Sequence, residues 1–346
     1  MIRTALAAAL MSAAAPAALA QDDGGWSIII HGGAGVIERG QMDADTEAAY
    51  REALSGALEA GREILAGGGS AMDAVEQVAW ILEDDPLFNA GRGSVYTSEG
   101  TVENDASIMR ASDMQAGAVG GVMNVRHPIS LARAVMEHSP HVMLIADGAS
   151  AFADEQGLER VDQAFYFTER RWQAMVRAVE AMGLPVPERP EGAPEPEPVR
   201  EGMLDILDRE KRFGTIGVVA LDQSGELVAG TTTGGTTAKR WGRVGDTPII
   251  GAGTYAANDC GVSATGTGEY FIRLSVAARI CLLSETGLDG QAAADRVMDE
   301  LTDIEGDGGI VALIGGQPVW SMNTSGMYRA SQTHDGEPYV AIFDDE

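Results

Sequence analysis

Basic residues, cysteines, histidines and aromatics are all scarce in this chain of 346 residues. Its 24 lysines and arginines stand against 52 aspartates and glutamates, a net charge of −28. Such a surface repels a phosphate backbone, which excludes a nucleic-acid partner. Cys260 and Cys281 are the only cysteines. They could pair with each other, but two cysteines make no disulfide framework and a chain of this length does not need one, so the reading leans towards free thiols. The five histidines include no His-Glu-x-x-His spacing, and His138-Ser-Pro-His141 has a proline inside it and no cysteine partner, which argues against zinc. No segment reaches the ~18 uncharged apolar residues of a membrane-spanning helix. No membrane partner is expected.

Residues 1–20 run from Met1-Ile2-Arg3 through an alanine- and leucine-rich stretch to Ala18-Leu19-Ala20. One positive charge, a short apolar region and a small-x-small ending read as a secretory signal peptide removed before Gln21. The expected product is exported, to a periplasm.

Glycine is abundant, at 44 residues, while aromatics are 5% of the chain. That balance points to tight turns and close backbone approaches. Prolines 185, 187, 190, 194, 196 and 198 crowd one segment. Residues 183–213 therefore read as a flexible connection, because prolines at that density support neither helix nor ladder. Immediately after it comes Phe213-Gly214-Thr215-Ile216-Gly217-Val218-Val219-Ala220-Leu221-Asp222, an apolar strand that starts abruptly. A chain cut between Gly214 and Thr215 would leave a threonine with a free α-amine, nucleophile and base in one residue.

Helical periodicity marks residues 46–65, and Ser70 with Asp73 opens a second helix running to Leu82. Further helices are expected over 168–182, 269–284 and 291–301. Strands are expected at 27–30, 117–122, 142–145, 215–221, 227–233, 249–252, 309–314, 319–322 and 339–343. The glycine cluster His31-Gly-Gly-Ala-Gly35 reads as a tight turn. Helices gathered apart from runs of strands indicate an α+β fold.

Four segments bring hydrolytic chemistry to Thr215. Thr233-Gly234-Gly235 ends a strand with a hydroxyl. Gly242-Arg243-Val244-Gly245-Asp246-Thr247-Pro248 sets a cation and an anion three residues apart. Thr265-Gly266-Thr267-Gly268-Glu269 offers a hydroxyl and backbone N–H groups to an oxyanion. Asn89 lies in Pro86-Leu87-Phe88-Asn89-Ala90-Gly91. In this order, with His31–Gly35 and Asn323-Thr-Ser-Gly-Met-Tyr-Arg329, these motifs resemble the plant-type L-asparaginases and isoaspartyl peptidases of the N-terminal-nucleophile (Ntn) hydrolases. The resemblance spans nearly the whole mature chain.

It implies a four-layer αββα sandwich cleaved at Gly214–Thr215 into an α-subunit (21–214) and a β-subunit (215–346), assembled as a dimer of αβ units. It implies that Thr215 is the nucleophile, that Thr233 bonds it, and that Thr265 and Gly266 form the oxyanion hole, with Asn89 near the reacting centre. Arg243 would hold the substrate α-carboxylate, and Asp246 and Gly268 its α-ammonium. Backbone carbonyls of Leu82, Glu83, Asp85, Phe88, Ala90 and Arg92 would hold a structural sodium, with no cofactor for catalysis. The implied reaction is hydrolysis of β-aspartyl dipeptides and L-asparagine. Glycosylasparaginase, a sister family, shares the Gly-Arg-Val-Gly-Asp turn, and a third reading is an exported binding protein for acidic amino acids. Two positions depart from the family pattern. Phe213 stands where some relatives have histidine, and Thr236-Thr-Ala-Lys-Arg-Trp241 stands where relatives often have Met-Thr-Asn-Lys.

Overall fold

A computed structural model describes residues 25–196 and 214–346. The signal-peptide reading and the 197–213 part of the proline-rich segment lie outside the described residues. The strands form two sheets. One has eight strands in the order β12-β11-β1-β5-β6-β2-β3-β4, and the other has four in the order β10-β9-β8-β7. Their bounds are β1 Ser27–Gly35, β2 Asn104–Arg110, β3 Ala116–Val122, β4 Met143–Ile145, β5 Ile216–Leu221 and β6 Leu227–Thr233. The remainder are β7 Thr254–Ala257, β8 Cys260–Gly266, β9 Gly308–Ile314, β10 Gln317–Met322, β11 Gly326–Thr333 and β12 Tyr339–Phe343. Every pair is antiparallel except β3 with β4.

Alternation along each strand decides what packs where. Ile28, Ile30, Val218, Ala220 and Val228 point to a core shared with α1 (Ala44–Ala66), α2 (Ala71–Asp84) and α3 (Pro128–His138). Their neighbours Ile29, Val219, Leu227 and Ala229 point the other way, onto Val311 and Leu313 of the four-stranded sheet. The far side of that sheet, Val262, Ala264 and Ile310, packs with α7 (Val276–Glu285) and α8 (Gly290–Asp303). A strand buried on both faces needs a continuous apolar run, which is what 27–30 and 216–221 supply.

Helix starts follow local chemistry. Asp43 caps α1 by accepting the Thr46 N–H at 2.7 Å, and Ser70 caps α2 by accepting that of Asp73 at 3.1 Å. Thr168 caps α5 (Glu169–Ala181); α4 covers Ala146–Glu155. Several expectations are corrected. The 31–35 glycine cluster is the second half of β1, paired with β11 through a bulge between His31 and Gly33. β11 itself was not foreseen. The 269–284 helix is two, α6 (Gly268–Leu274) and α7, broken at Ser275 in the left-handed region (φ 53°). Residues 249–252 form turns, and the strand there is β7. The described part of the proline-rich segment, 184–196, has no helix or strand, but Leu184 and Ala193 pack on the Tyr96–Trp172 cluster and Arg189 pairs with Glu169 at 3.0 Å.

The cysteines are also corrected. Cys260 and Cys281 form a disulfide across a Cα–Cα distance of 5.5 Å, joining the start of β8 to α7. Nothing in a separation of 21 residues reveals that packing brings these elements together. The closed loop contains Thr265, Gly266, Gly268 and Glu269. Replacing both cysteines by alanine should cost about 2–4 kcal/mol of unfolding free energy. Denaturant unfolding of the double variant measures this; an unchanged midpoint would mean the bridge adds nothing to the buried packing around it.

Candidate active site

β5 begins one residue after Thr215, and its register with β6 (Ile216 opposite Thr232) brings Thr215 alongside Thr233. The Thr215 hydroxyl donates to Thr233 Oγ1 at 3.0 Å, and the Gly235 N–H donates to the same oxygen at 3.0 Å. Both threonines are buried. The Gly214–Thr215 peptide is held from two sides. A Cβ on Gly33 (φ 112°) would lie 2.6 Å from the Gly214 Cα, and one on Gly214 (φ 140°) would lie 2.6 Å from the Asn89 Cβ. Only glycine admits both that approach and those angles.

Asn89 ties this region together. Its N–H donates to the Gly214 carbonyl at 3.1 Å and its carbonyl accepts the Gly234 N–H at 2.9 Å. Its side chain donates to the Gly235 carbonyl at 2.8 Å and accepts the Val95 N–H at 2.9 Å. Thr265, near the end of β8, faces the same space from the other sheet and accepts the Ala34 N–H at 3.4 Å. Gly266 follows, and Thr267 is fixed by bonds from its N–H and hydroxyl to Asp307.

The charged turn sits beside these threonines. A Cβ on Gly235 would be 3.4 Å from Arg243 Nη1, and one on Gly268 would be 2.7 Å from Asp246 Oδ1 and 3.1 Å from Arg243 Nη2. Gly268 therefore packs against both Asp246 and Arg243. Arg243 is mostly buried and gives Nε and Nη2 to the Glu269 carboxylate at 2.9 and 3.0 Å. Against the desolvation of burial, those bonds raise the guanidinium pKa further. Glu269 is a residue to which the sequence reading assigned no role, although it closes the Thr265–Glu269 motif. Asp246 is buried, its Oδ2 has no partner among the described residues, and burial pushes its pKa up to about 7.

Among the described residues no cluster of three or more His, Cys, Asp or Glu side chains gathers to bind a metal. The 82–92 loop offers carbonyls instead. Leu82 and Glu83 lie in the last turn of α2, and the Glu83 carboxylate turns inward to the Thr232 hydroxyl (2.8 Å) and the Ile129 N–H (3.1 Å). The Asp85 and Ala90 carbonyls accept N–H groups of Phe88 and Gly93, while Arg92 is exposed. A Cβ on Gly91 would strike the Glu83 carbonyl, and one on Gly93 the Phe88 carbonyl.

A family model described as asparaginase matches residues 24–342. The chain belongs to the asparaginase family. It is 45% identical to the isoaspartyl peptidase of Salmonella typhimurium, covering 91% of this chain and 98% of that protein. It is 41% identical to a probable isoaspartyl peptidase/L-asparaginase 2 of Arabidopsis thaliana, covering 93% of this chain and 100% of that one. Likeness to the plant-type L-asparaginase of Pyrococcus abyssi is 41%, covering 80% and 85%.

The Asp246 carboxyl, with Oδ2 lacking a partner among the described residues, carries a pH signature. Its folded pKa, about 7, stands above the ordinary carboxylate value of 3.8. Its contribution to stability is thus complete below the ordinary value and lost as pH rises through the folded one. Asp246→Asn, neutral throughout, should gain on the unmodified protein in thermal unfolding as pH rises from about 4 to 8. Parallel pH profiles for the two proteins would contradict a buried, protonated Asp246.

Proposed function

We propose that this chain is an isoaspartyl peptidase and L-asparaginase that cleaves itself at Gly214–Thr215 and then uses Thr215 as its nucleophile. The single observation that carries the reading is the 3.0 Å Thr215–Thr233 hydroxyl pair, adjoined through Gly235 by the Arg243–Asp246 turn. The names of the relatives support the same activity. Helices on the outer faces of two facing sheets accord with the αββα arrangement of an Ntn hydrolase.

In maturation, the Thr215 hydroxyl attacks the Gly214 carbonyl carbon while that oxygen draws on the Asn89 N–H. The peptide nitrogen leaves as the Thr215 amine, giving an ester that water opens to a Gly214 carboxylate. In turnover, the freed α-amine takes the Thr215 hydroxyl proton. The hydroxyl then attacks the side-chain carbonyl of a β-aspartyl substrate. Thr265 Oγ1–H and Gly266 N–H receive the oxyanion, the leaving amine takes the proton, and water hydrolyses the resulting ester to release aspartate.

Recognition follows from charge. With Nε and one Nη2 hydrogen of Arg243 committed to Glu269, Nη1 and the second Nη2 hydrogen remain for two parallel bonds to an α-carboxylate. The substrate α-ammonium meets the otherwise unpartnered Asp246 and the Gly268 carbonyl. Only an aspartyl group linked through its side chain presents both charges.

The 82–92 loop, where Gly91 and Gly93 lie close against the Glu83 and Phe88 carbonyls, would hold a sodium ion through the carbonyls of Leu82, Glu83, Asp85, Phe88, Ala90 and Arg92. Such an ion would brace the loop that carries Asn89. Export to a periplasm is supported by the disulfide, since such bonds persist in oxidising compartments. Assembly as a dimer of αβ units belongs to the same proposal.

Mass spectrometry of protein recovered from its native compartment should find two pieces, one spanning 21–214 and one starting at Thr215. Thr215→Ala should remain one uncleaved, inactive chain; efficient cleavage of that variant would assign the cut to another protease. Arg243→Ala and Asp246→Ala should each lower kcat/KM by roughly 30- to several-thousand-fold, the ~2–5 kcal/mol of a buried charge left unpaired. β-Aspartyl-leucine and asparagine should be hydrolysed and α-aspartyl-leucine should not. Equal cleavage of α and β dipeptides defeats the clamp, preference for glycosylasparagine assigns the sister activity, and binding without turnover leaves an exported binding protein.

A further inference from the structure

A row of polar side chains lies buried between the sheets, one step inward from the threonines described above. In the eight-stranded sheet His31, Gly217, Thr231 and Ser107 stand opposite one another on neighbouring strands. In the four-stranded sheet Thr254 stands opposite Ser263. Period-2 alternation puts each on the inner face, two residues from a member of the proposed site: Thr231 from Thr233, Ser263 from Thr265, Gly217 from Thr215. The two rows interdigitate. Ser107 Oγ lies 2.6 Å from the Thr247 carbonyl and 2.7 Å from Thr254 Oγ1. Thr254 Oγ1 is 2.5 Å from Thr231 Oγ1, which is 2.7 Å from Ser263 Oγ, which is 2.9 Å from His31 Nε2. All five side chains are buried. A Cβ on Gly217 would strike Ser263 Oγ and His31 Nε2, so the missing side chain is what lets the chain close beneath Thr215.

Counting protons fixes its direction. Five contacts need five hydrogens, and four hydroxyls supply four. The Thr247 carbonyl can only accept. Heavy-atom geometry alone would have Ser107 donate to Thr254 and Thr254 to Thr231. Ser107 has a single hydrogen, however, and the carbonyl takes it, so Thr254 must donate to Ser107, Thr231 to Thr254 and Ser263 to Thr231. The Gly253 carbonyl, at 3.3 Å, shares the Thr231 proton. The fifth hydrogen must come from His31 Nε2. Nδ1 is then a bare lone pair, and it is indeed a buried atom without a donor among the described residues. Burial also drives the imidazole pKa down to about 3, which keeps the ring neutral. A ring so reluctant to take a proton is a poor general base. Its place in the chain is structural.

We propose that the Ser107–Thr254–Thr231–Ser263–His31 chain is the support that positions Thr215, Thr233 and Thr265 for reaction, with His31 locked as its neutral Nε2–H tautomer. One end is anchored on Thr247, next to Asp246, and the other lies beside the strand of the nucleophile. The chain thus connects the substrate turn to Thr215 through bonds that all run one way. It rests on the hydrolase reading above for its effect on turnover, and on geometry alone for the tautomer.

The test uses the full mature protein labelled with ¹⁵N-histidine, the His31 signals being assigned by their loss in His31→Gln. Long-range ¹H–¹⁵N spectra should show His31 protonated at Nε2 only, and unchanged between about pH 5 and 8. Thr231→Val keeps the shape but removes the link, so Ser263 becomes able to donate to Nε2 and the Nδ1–H form should appear. With β-aspartyl-leucine as substrate, kcat should fall on the order of tenfold, within the roughly 100-fold cost of a small misplacement, while KM holds. Thr231→Ser should restore both the tautomer and kcat. Ser107→Ala, which removes the terminal acceptor path, should release the tautomer in the same way and serves if Thr231→Val fails to fold. An Nδ1–H histidine in the unmodified protein, or a broken chain with tautomer and kcat both unchanged, would overturn the proposal. Failure of the unmodified protein to hydrolyse any β-aspartyl substrate would instead defeat the functional reading, and the tautomer result would stand apart from it.

Discussion

Everything at this site depends on β5 being clamped between β1 and β6 at the centre of the eight-stranded sheet. Antiparallel register on one side brings Thr233 to Thr215, and on the other it lays the Gly33 backbone against Gly214. A one-residue slip would turn Thr215 from the inter-sheet space to the helix side, because side chains alternate along a strand. The apolar residues that prevent the slip are Val218 and Ala220 on one face and Val219 on the other. Hydrophobic packing thus sets the geometry of the candidate site.

The electrostatics are arranged around that frame. A chain with a net charge of −28 places one arginine, largely buried, against Gly235 next to the threonine pair and holds it with an acid from the following helix. Glu269 commits the Nε/Nη2 edge of Arg243. Asp246 is the complementary element, a buried carboxyl with one oxygen that has no partner among the described residues. An unpartnered buried polar group is costly, and its persistence is understandable where a ligand supplies the missing partner. The disulfide braces the segment bearing Thr265 and Glu269, so the half of the site outside the large sheet has its own covalent anchor.

Much of this was legible from sequence, for local reasons. The N-cap Ser70, the helix over 168–182 and the apolar run of β5 are encoded within a few residues. The motif order around Thr215, Thr233, Arg243 and Thr265 was enough to indicate the family. What escaped was non-local. The glycines after His31 looked like a turn because no local signal distinguishes a turn from a strand that must lie against another backbone. β11 is read as a strand only once β1 is there to pair with it. Ser275 breaks a helix whose apolar period continues across the break.

The sequence by itself determined the elements, the chemistry available to them and the family to which the chain belongs, because periodicity, capping and motif order act over short spans. The tertiary structure alone decided which side chains meet. It joined Cys260 to Cys281, turned Glu269 onto Arg243, left one Asp246 oxygen without a partner among the described residues, and threaded five polar side chains from different strands into one buried chain. Those contacts depend on the register of two sheets and the face on which each residue falls, and no stretch of sequence contains that information until the sheets are packed.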